Sequence, residues 1–201
     1  MGRRDDLENE LDRITFVALV ASEADGNISD EELALRARTE PRAAFEVLFE
    51  RHRTPLYNFL LRQGADEARV DDLFQMAFLK AFRAIPTFRE EARFKTWLYT
   101  IAVNVLNDDR RAAQRRGATS ELREGMLVVE PEIGGEEEVD RVKEALGQVA
   151  PNHRQLFTLV RFQGLSIAEA AQAVGMTPAA AKVTLFRTTR KIGELVMKVK
   201  R

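Results

Sequence analysis

The 201-residue chain contains no cysteine, which excludes a disulfide framework, a thiolate metal site and a cysteine nucleophile. It has two histidines, His52 and His153, with no partner carboxylate or cysteine at ligand spacing, so no metal site is expected. Glycine and proline are scarce, 11 and 6 residues, whereas Ala, Leu, Glu and Arg recur throughout, which favours helices over turn-rich sheets. No apolar run is longer than Phe16 to Ala21, far short of the roughly 20 residues a membrane span needs. The opening charges Arg3, Arg4, Asp5 and Asp6 lead into further acids. A secretory leader is therefore not expected, and the chain reads as cytoplasmic, with no direct membrane insertion. A phosphate-cradling glycine loop, a nucleophile elbow and a zinc motif are all missing. The neighbouring acids Asp71-Asp72 and Asp108-Asp109 do not replace them, because adjacent helical residues point about a quarter turn or more apart. Neither an enzyme nor a bound cofactor is expected.

What the chain does have is 45% hydrophobic and 31% charged residues, the balance of a soluble globular protein. Its net charge of -1 conceals a strong segregation. Residues 1–40 hold 5 basic against 11 acidic side chains, 41–116 hold 14 against 10, 117–150 hold 3 against 9, and 151–201 hold 9 against 2. Two basic segments separated by an acidic one suit two polyanion-contacting modules on a connector, since Lys and Arg gain affinity for phosphates by releasing counterions. Solvated charged faces explain the same pattern, so motifs must decide.

Gly117 to Ser120 and the stretch from Pro131 to Glu138 are rich in helix breakers and lack periodicity. They mark a linker. Before it, three patterns at spacings of three and four predict helices. The first, from Phe45 to Leu60, is expected to break or kink near Pro55 and to end at Gly64. The second runs from Val70 to Ile85 and stops at Pro86, and the third from Phe94 to Leu106 ends in Arg110, Arg111, Arg115 and Arg116, cations suited to a helix C-terminus. After the linker, Val142 to Val149 and Leu156 to Phe162 predict two helices bounded by Pro151 and Gly164. Ser166 with Glu169 forms a capping box, Gly175 a turn, and Thr177 with Pro178 an N-cap followed by proline at the first helical position. This is a helix-turn-helix.

Such a motif docks its second helix in the major groove. Thr177 starts that helix; Ala179 and Ala180 allow close backbone approach, Lys182, Thr184, Arg187, Arg190 and Lys191 supply donors, and Ala181, Leu185 and Ile192 face inward. In the first region, Arg89 and Arg93 lie in a loop flanked by Phe88, Phe94 and Trp97. Aromatics beside arginines suit single-stranded nucleic acid, although the same aromatics sit at core spacing.

Taken together, Asp71-Asp-Leu-Phe-Gln-Met-Ala-Phe-Leu-Lys-Ala-Phe82, then Phe88-Arg89, then Phe94-Lys-Thr-Trp-Leu-Tyr-Thr-Ile-Ala-Val-Asn104, then Asp108 with Arg110-Arg111, closely resemble region 2 of bacterial sigma factors of the extracytoplasmic-function (ECF) group. Residues 141–195 resemble region 4 of the same group. The resemblance implies an all-α protein of two small helical domains joined by a flexible linker. The extension would cover residues 1–29, region 2 residues 30–116, the acidic linker 117–137 and region 4 residues 138–201. It implies a promoter-recognition subunit that binds core RNA polymerase, through the beta-prime clamp helices and the beta flap, together with promoter DNA; an anti-sigma factor is expected by analogy. By position, Asp71, Asp72, Gln75, Phe78 and Lys80 match the polymerase-facing surface. Phe88, Arg89, Arg93, Phe94, Lys95, Thr96, Trp97, Asn104, Asp108, Arg110 and Arg111 match the segment that captures the melted -10 strand. Thr177, Ala179, Ala180, Lys182, Val183, Thr184 and Arg187 match the surface that reads the -35 duplex. Val183 and Thr184 stand where the group commonly has a small polar residue and an arginine, and Ala180 where it often has threonine. Without a good bidentate pairing to a base, readout at that position weakens by about 1 to 3 kcal/mol. Residues 1–29 fall outside the pattern; Leu7, Leu11, Ile14, Ala18 and Ala21 are spaced for an amphipathic helix that serves either a regulatory contact or a frayed tail. A stand-alone helix-turn-helix regulator is the alternative reading.

Overall fold

The computed structural model of the chain describes residues 28–39, 41–64, 67–115, 142 and 144–198. The expected amphipathic pattern at 7–21 and the acidic linker at 117–137 lie outside these residues. Among the described residues every regular element is helical: α1 (Asp30–Arg36), α2 (Pro41–Leu61), α3 (Glu67–Ala84), α4 (Phe94–Arg115), α5 (Pro151–Arg161), α6 (Ile167–Val174) and α7 (Pro178–Lys198), with a 3-10 turn at Ile85–Thr87. No helix among the described residues is long and apolar enough to cross a membrane.

α2, α3 and α4 form the N-terminal unit. Leu48, Leu56, Phe59 and Leu60 of α2 meet Val70, Leu73, Ala77 and Ala81 of α3 and Leu98, Ala102 and Val105 of α4 in one core, all buried. That shared face also explains why α2 runs unbroken through Pro55, where the sequence predicts a break or kink. The ring removes one backbone donor and crowds the preceding turn, but Leu48, His52, Leu56 and Phe59 lie on one buried stripe across it. Burial of each large apolar side chain contributes roughly 1.5 to 3 kcal/mol, enough together to outweigh the proline.

α1 lies across this unit and is tied to it by charge. Ser29 caps it, accepting from the Glu32 N–H at 3.1 Å. Asp30 takes the buried His52 ring at 2.7 Å and the Arg51 guanidinium at 2.9 Å, and Arg51 also donates to the Ile28 carbonyl at 2.8 Å. His52 therefore serves as a hydrogen-bond partner within the fold.

In the C-terminal unit the sequence signals appear where they are expected. Ser166 and Glu169 close a reciprocal capping box, Gly175 adopts the left-handed conformation at φ 70°, and Thr177 Oγ1 accepts the Ala180 N–H at 3.2 Å. Pro151 opens α5 at its first turn, where its missing N–H leaves no bond unmade.

The hydrogen bond from His52 holds the Asp30 carboxyl below the usual carboxylate range, against the opposing effect of burial, with Arg51 adding to the lowering. A folded pKa below the unfolded one stabilises the fold above the ordinary carboxylate range and is lost as pH falls through the folded value. Asp30→Asn is expected to cost about 1 to 2 kcal/mol near neutral pH, and its deficit against the parent should shrink below about pH 4, read by urea unfolding across pH.

Candidate nucleic-acid interface

The loop after the 3-10 turn is pinned at both ends. Phe88 and Phe94 are buried, their rings 5.9 Å apart, and each lies 5.5 Å from the ring of half-buried Trp97. Between these anchors Arg89 stands 81% exposed, 3.8 Å from Glu91, and Arg93 is also exposed. The anchors cannot touch a strand directly in this arrangement; they hold the arginines out. Thr96 is likewise fully buried. Lys95 is half-buried and Asn104 and Asp108 are exposed on α4.

Beside this loop an open groove of about 640 Å³ runs between α3 and α4, lined by Lys80, Arg83, Ala84, Thr87, Ile101, Asn104 and Asp108. Lys80 Nζ meets Asp108 Oδ2 at 3.2 Å, and Arg111 meets Asp108 Oδ1 at 3.1 Å. Lys80 itself is exposed, as are Asp71, Asp72 and Gln75 of the polymerase-facing residues predicted with it, and it also lines this groove. Asp109 pairs instead with Arg69, whose guanidinium pKa is raised chiefly by that hydrogen bond. Arg110 is half-buried and donates to Asn107 and Asn152, both at 3.2 Å.

On the outer flank of α3, Asp71, Asp72 and Gln75 are exposed as expected. Phe78 is not. It is 6% exposed and sits edge-to-face with Phe49 at 4.6 Å, Phe74 at 5.0 Å and Phe45 at 6.2 Å, so its apolar ring is core material and cannot present itself to a partner. Its neighbour Leu79, 54% exposed, and exposed Met76 occupy the outward face in its place. The helical spacing from Val70 to Ile85 already puts Phe78 on the core face; only the family resemblance carried it to the partner surface, and its burial overrides that.

α7 presents a continuous face of exposed Thr177, Ala179, Ala180, Lys182, Val183 and Arg187, with Ala181, Leu185 and Ile192 turned inward as predicted. Thr184 is half-buried. Sequence reading missed Phe186, which at 71% exposure stands one turn from Val183 and Lys182. The signal was its spacing to them, masked by the core residue Leu185 beside it.

The two units touch. The Tyr99 ring lies 5.1 Å from Phe59 in the N-terminal core, and its hydroxyl donates to Gln163 Oε1 at 2.5 Å. Burial pushes the Tyr99 phenol well up, so it remains a donor. The buried Arg154 guanidinium donates to the carbonyls of Gln63 at 2.6 Å, Val149 at 3.1 Å and Gly147 at 3.2 Å. Burial first, then the charge of Arg110, lowers its pKa, but a guanidinium keeps its proton. Arg62 lies over the Phe162 ring at 4.5 Å. Glu169, already capping α6, accepts from Thr96 Oγ1 at 3.3 Å and lies 3.7 Å from Arg93. Its carboxyl is held below the usual range, mainly by the Ser166 side-chain hydrogen bond.

Both units match known families in chain order: sigma-70 region 2 over residues 48–116 and sigma-70 region 4 over residues 140–192. The chain belongs to the sigma-70 family. It is 31% identical over 175 residues to RNA polymerase sigma factor NccH of Alcaligenes xylosoxydans xylosoxydans, covering 83% of this chain and 94% of that protein. It is 30% identical over 168 residues to the ECF RNA polymerase sigma factor SigM of Mycobacterium tuberculosis, covering 84% and 85%. Among solved structures, CnrH in complex with the cytosolic domain of CnrY superposes with TM-score 0.65 at 27% identity, covering 84% of this chain and 97% of that one. This sigma factor is of the ECF type, and a stand-alone helix-turn-helix regulator leaves the region 2 match unexplained.

Tyr99→Phe keeps the ring against Phe59 and leaves the buried Gln163 oxygen without its donor, a loss of about 1 to 3 kcal/mol. Amide exchange along α6 should quicken while the α2–α4 core keeps its protection.

Proposed function

We propose that this sigma factor binds core RNA polymerase in the cytoplasm and directs promoter-specific initiation, reading -35 duplex with α7 and holding the melted -10 strand along the 88–93 loop and the α3–α4 groove. The observation that carries this reading is the juxtaposition of an exposed arginine loop on buried aromatic anchors with an open polar groove containing Lys80 and Asn104. An unstacked base needs a concave acceptor with hydrogen-bonding groups, and its backbone needs cations alongside. Lys80 and Asn104 offer the first; Arg89, Arg93 and Lys95 offer the second. The chain makes and breaks no bonds in this role.

Asp71, Asp72 and Gln75, joined by Leu79 and Met76, form the surface proposed to meet the beta-prime clamp helices. It has the apolar centre and charged edge of a protein interface. On α7, Lys182 and Arg187 supply donors to bases and phosphates, and Val183 with Phe186 supply apolar contact suited to a thymine methyl group. This exchange of donors for apolar groups favours a -35 sequence read partly through methyls. CnrH was solved bound to the cytosolic domain of CnrY, which supports a protein partner here as well, and the family resemblance points to an anti-sigma factor in that place.

Glu169 contacts Arg93 and Thr96, groups assigned to the strand, so a strand phosphate competes with this carboxylate for Arg93.

Transcription reconstituted with core polymerase on a genomic DNA library, with start-site mapping, tests the reading; absence of defined starts overturns it. Asp71→Ala with Asp72→Ala, and separately Leu79→Ala, should weaken polymerase binding, whereas Arg187→Ala should spare it and weaken -35 duplex binding by about 1 to 3 kcal/mol. Glu169→Gln retains a capping-box residue and removes the charge facing Arg93. It should raise the affinity of the free chain for single-stranded -10 DNA several-fold, measured by fluorescence anisotropy, and leave duplex affinity unchanged.

A further inference from the structure

The 88–93 loop hands over to α4 at Phe94, and that residue is gripped from two directions. Its N–H is one of the helix's first donors, which have no partner within the helix itself. α4 carries no acid in its own first turn to satisfy them. The acceptor comes from 63 residues away: Glu31 Oε1 on α1 receives the Phe94 N–H at 2.9 Å. From α2, the His52 ring lies 5.3 Å from the Phe94 ring. α1 is itself fixed by the Asp30 pairs with His52 and Arg51. The same histidine therefore anchors the helix that carries Glu31 and lies against the residue that Glu31 caps.

We propose that Glu31 is a positioning residue for strand recognition: as the remote N-cap of α4, it sets where the first turn begins and so where Arg93, Lys95 and Trp97 stand. The proposal rests on the assignment of that loop and turn to the -10 strand. α1 precedes the region 2 match, which begins at residue 48, so the brace is supplied by a part of this chain outside that match. A carboxylate is suited to the task because it accepts the backbone N–H while also facing the positive end of the helix dipole. Without it the Phe94 N–H loses its acceptor and the first turn can fray, leaving ring packing alone to hold that end of the loop. The other end, buried Phe88, does not set the helix start.

The test uses the full chain with Glu31→Ala and Glu31→Gln. Trp97 is the only tryptophan and lies within the first turn of α4, so acrylamide quenching of its fluorescence reports that turn directly. Each variant is assembled with core polymerase. Binding is then measured to a labelled single-stranded oligodeoxynucleotide carrying the non-template -10 sequence of a promoter found by start-site mapping, and to the matching -35 duplex. Glu31→Ala is expected to increase Trp97 quenching and to weaken strand binding about five- to tenfold, the scale of a missing N-cap. Polymerase and duplex affinity should stay within about twofold. Glu31→Gln, whose amide oxygen can still accept, should restore both signals. The proposal is overturned if Glu31→Ala changes neither signal, if Glu31→Gln is as damaging as Glu31→Ala, or if all three affinities fall together. If the parent holoenzyme does not hold the strand at all, the functional reading fails and takes the strand role with it, while Trp97 quenching alone still decides whether Glu31 caps the turn.

Discussion

Tyr99 belongs to both halves of the molecule. Its ring completes the N-terminal core against Phe59, and its hydroxyl, sealed from water, ends on Gln163 of the C-terminal unit. A phenol buried this deeply must have a partner, because an unpaired buried polar group costs about 1 to 3 kcal/mol. The register between the units follows from that requirement. Arg154 reinforces it, since its buried guanidinium takes carbonyls from both sides of the seam, Gln63 on one and Gly147 and Val149 on the other.

Buried Leu, Phe and Ala side chains run as one apolar cluster through both units. The seam has many polar pairs: Gln63 with Thr158 at 3.0 Å, Gln155 with Asn107 at 3.2 Å, and Thr96 with Glu169 at 3.3 Å. Hydrogen bonds exchanged against water contribute about 0.5 to 1.5 kcal/mol each, and contacts between units within a chain resemble transient interfaces more than cores. The α7 face stays exposed while α4's first turn is engaged by Glu169. The observed packing thus leaves the α7 face exposed and sets Glu169 against part of the proposed strand path.

That first turn concentrates the chain's organisation in a few residues. Glu31 from the N-terminal side and Glu169 from the C-terminal side both reach it, one onto the Phe94 backbone and the other onto Thr96 and Arg93. Their surroundings separate their roles. Glu31 sits on a helix clamped by Asp30, while Glu169 divides its carboxylate between capping α6 and touching α4 at longer distances. One carboxylate makes a short bond to the α4 backbone, and the other shares longer contacts with its own cap.

Local signals were legible because they act over a few residues. The capping box at Ser166, the Gly175 turn, the Thr177-Pro178 start and the inward Ala181, Leu185 and Ile192 all stand where the sequence puts them. The family pattern of both units was readable for the same reason, as ordered motifs in continuous stretches. The sequence reading fell short where a decision depended on what lies across the helix. Pro55 kept its helix because the buried stripe spans it; Phe78, a core position in the periodic pattern, was carried to the partner surface by resemblance alone and is buried; Phe186 faced water beside a buried leucine. The amino-acid sequence by itself determined α2 to α7, the caps of the C-terminal unit and the two families of unit, since these follow from spacing, backbone donors and side-chain chemistry along one segment; α1, two turns long, gave no periodic signal and was not legible. Only the tertiary structure decided which side of each helix is free, that Glu31 caps a helix 63 residues distant, and that the two units close on Tyr99. Those outcomes depend on burial and hydrogen-bond partners from remote segments, which no local pattern encodes.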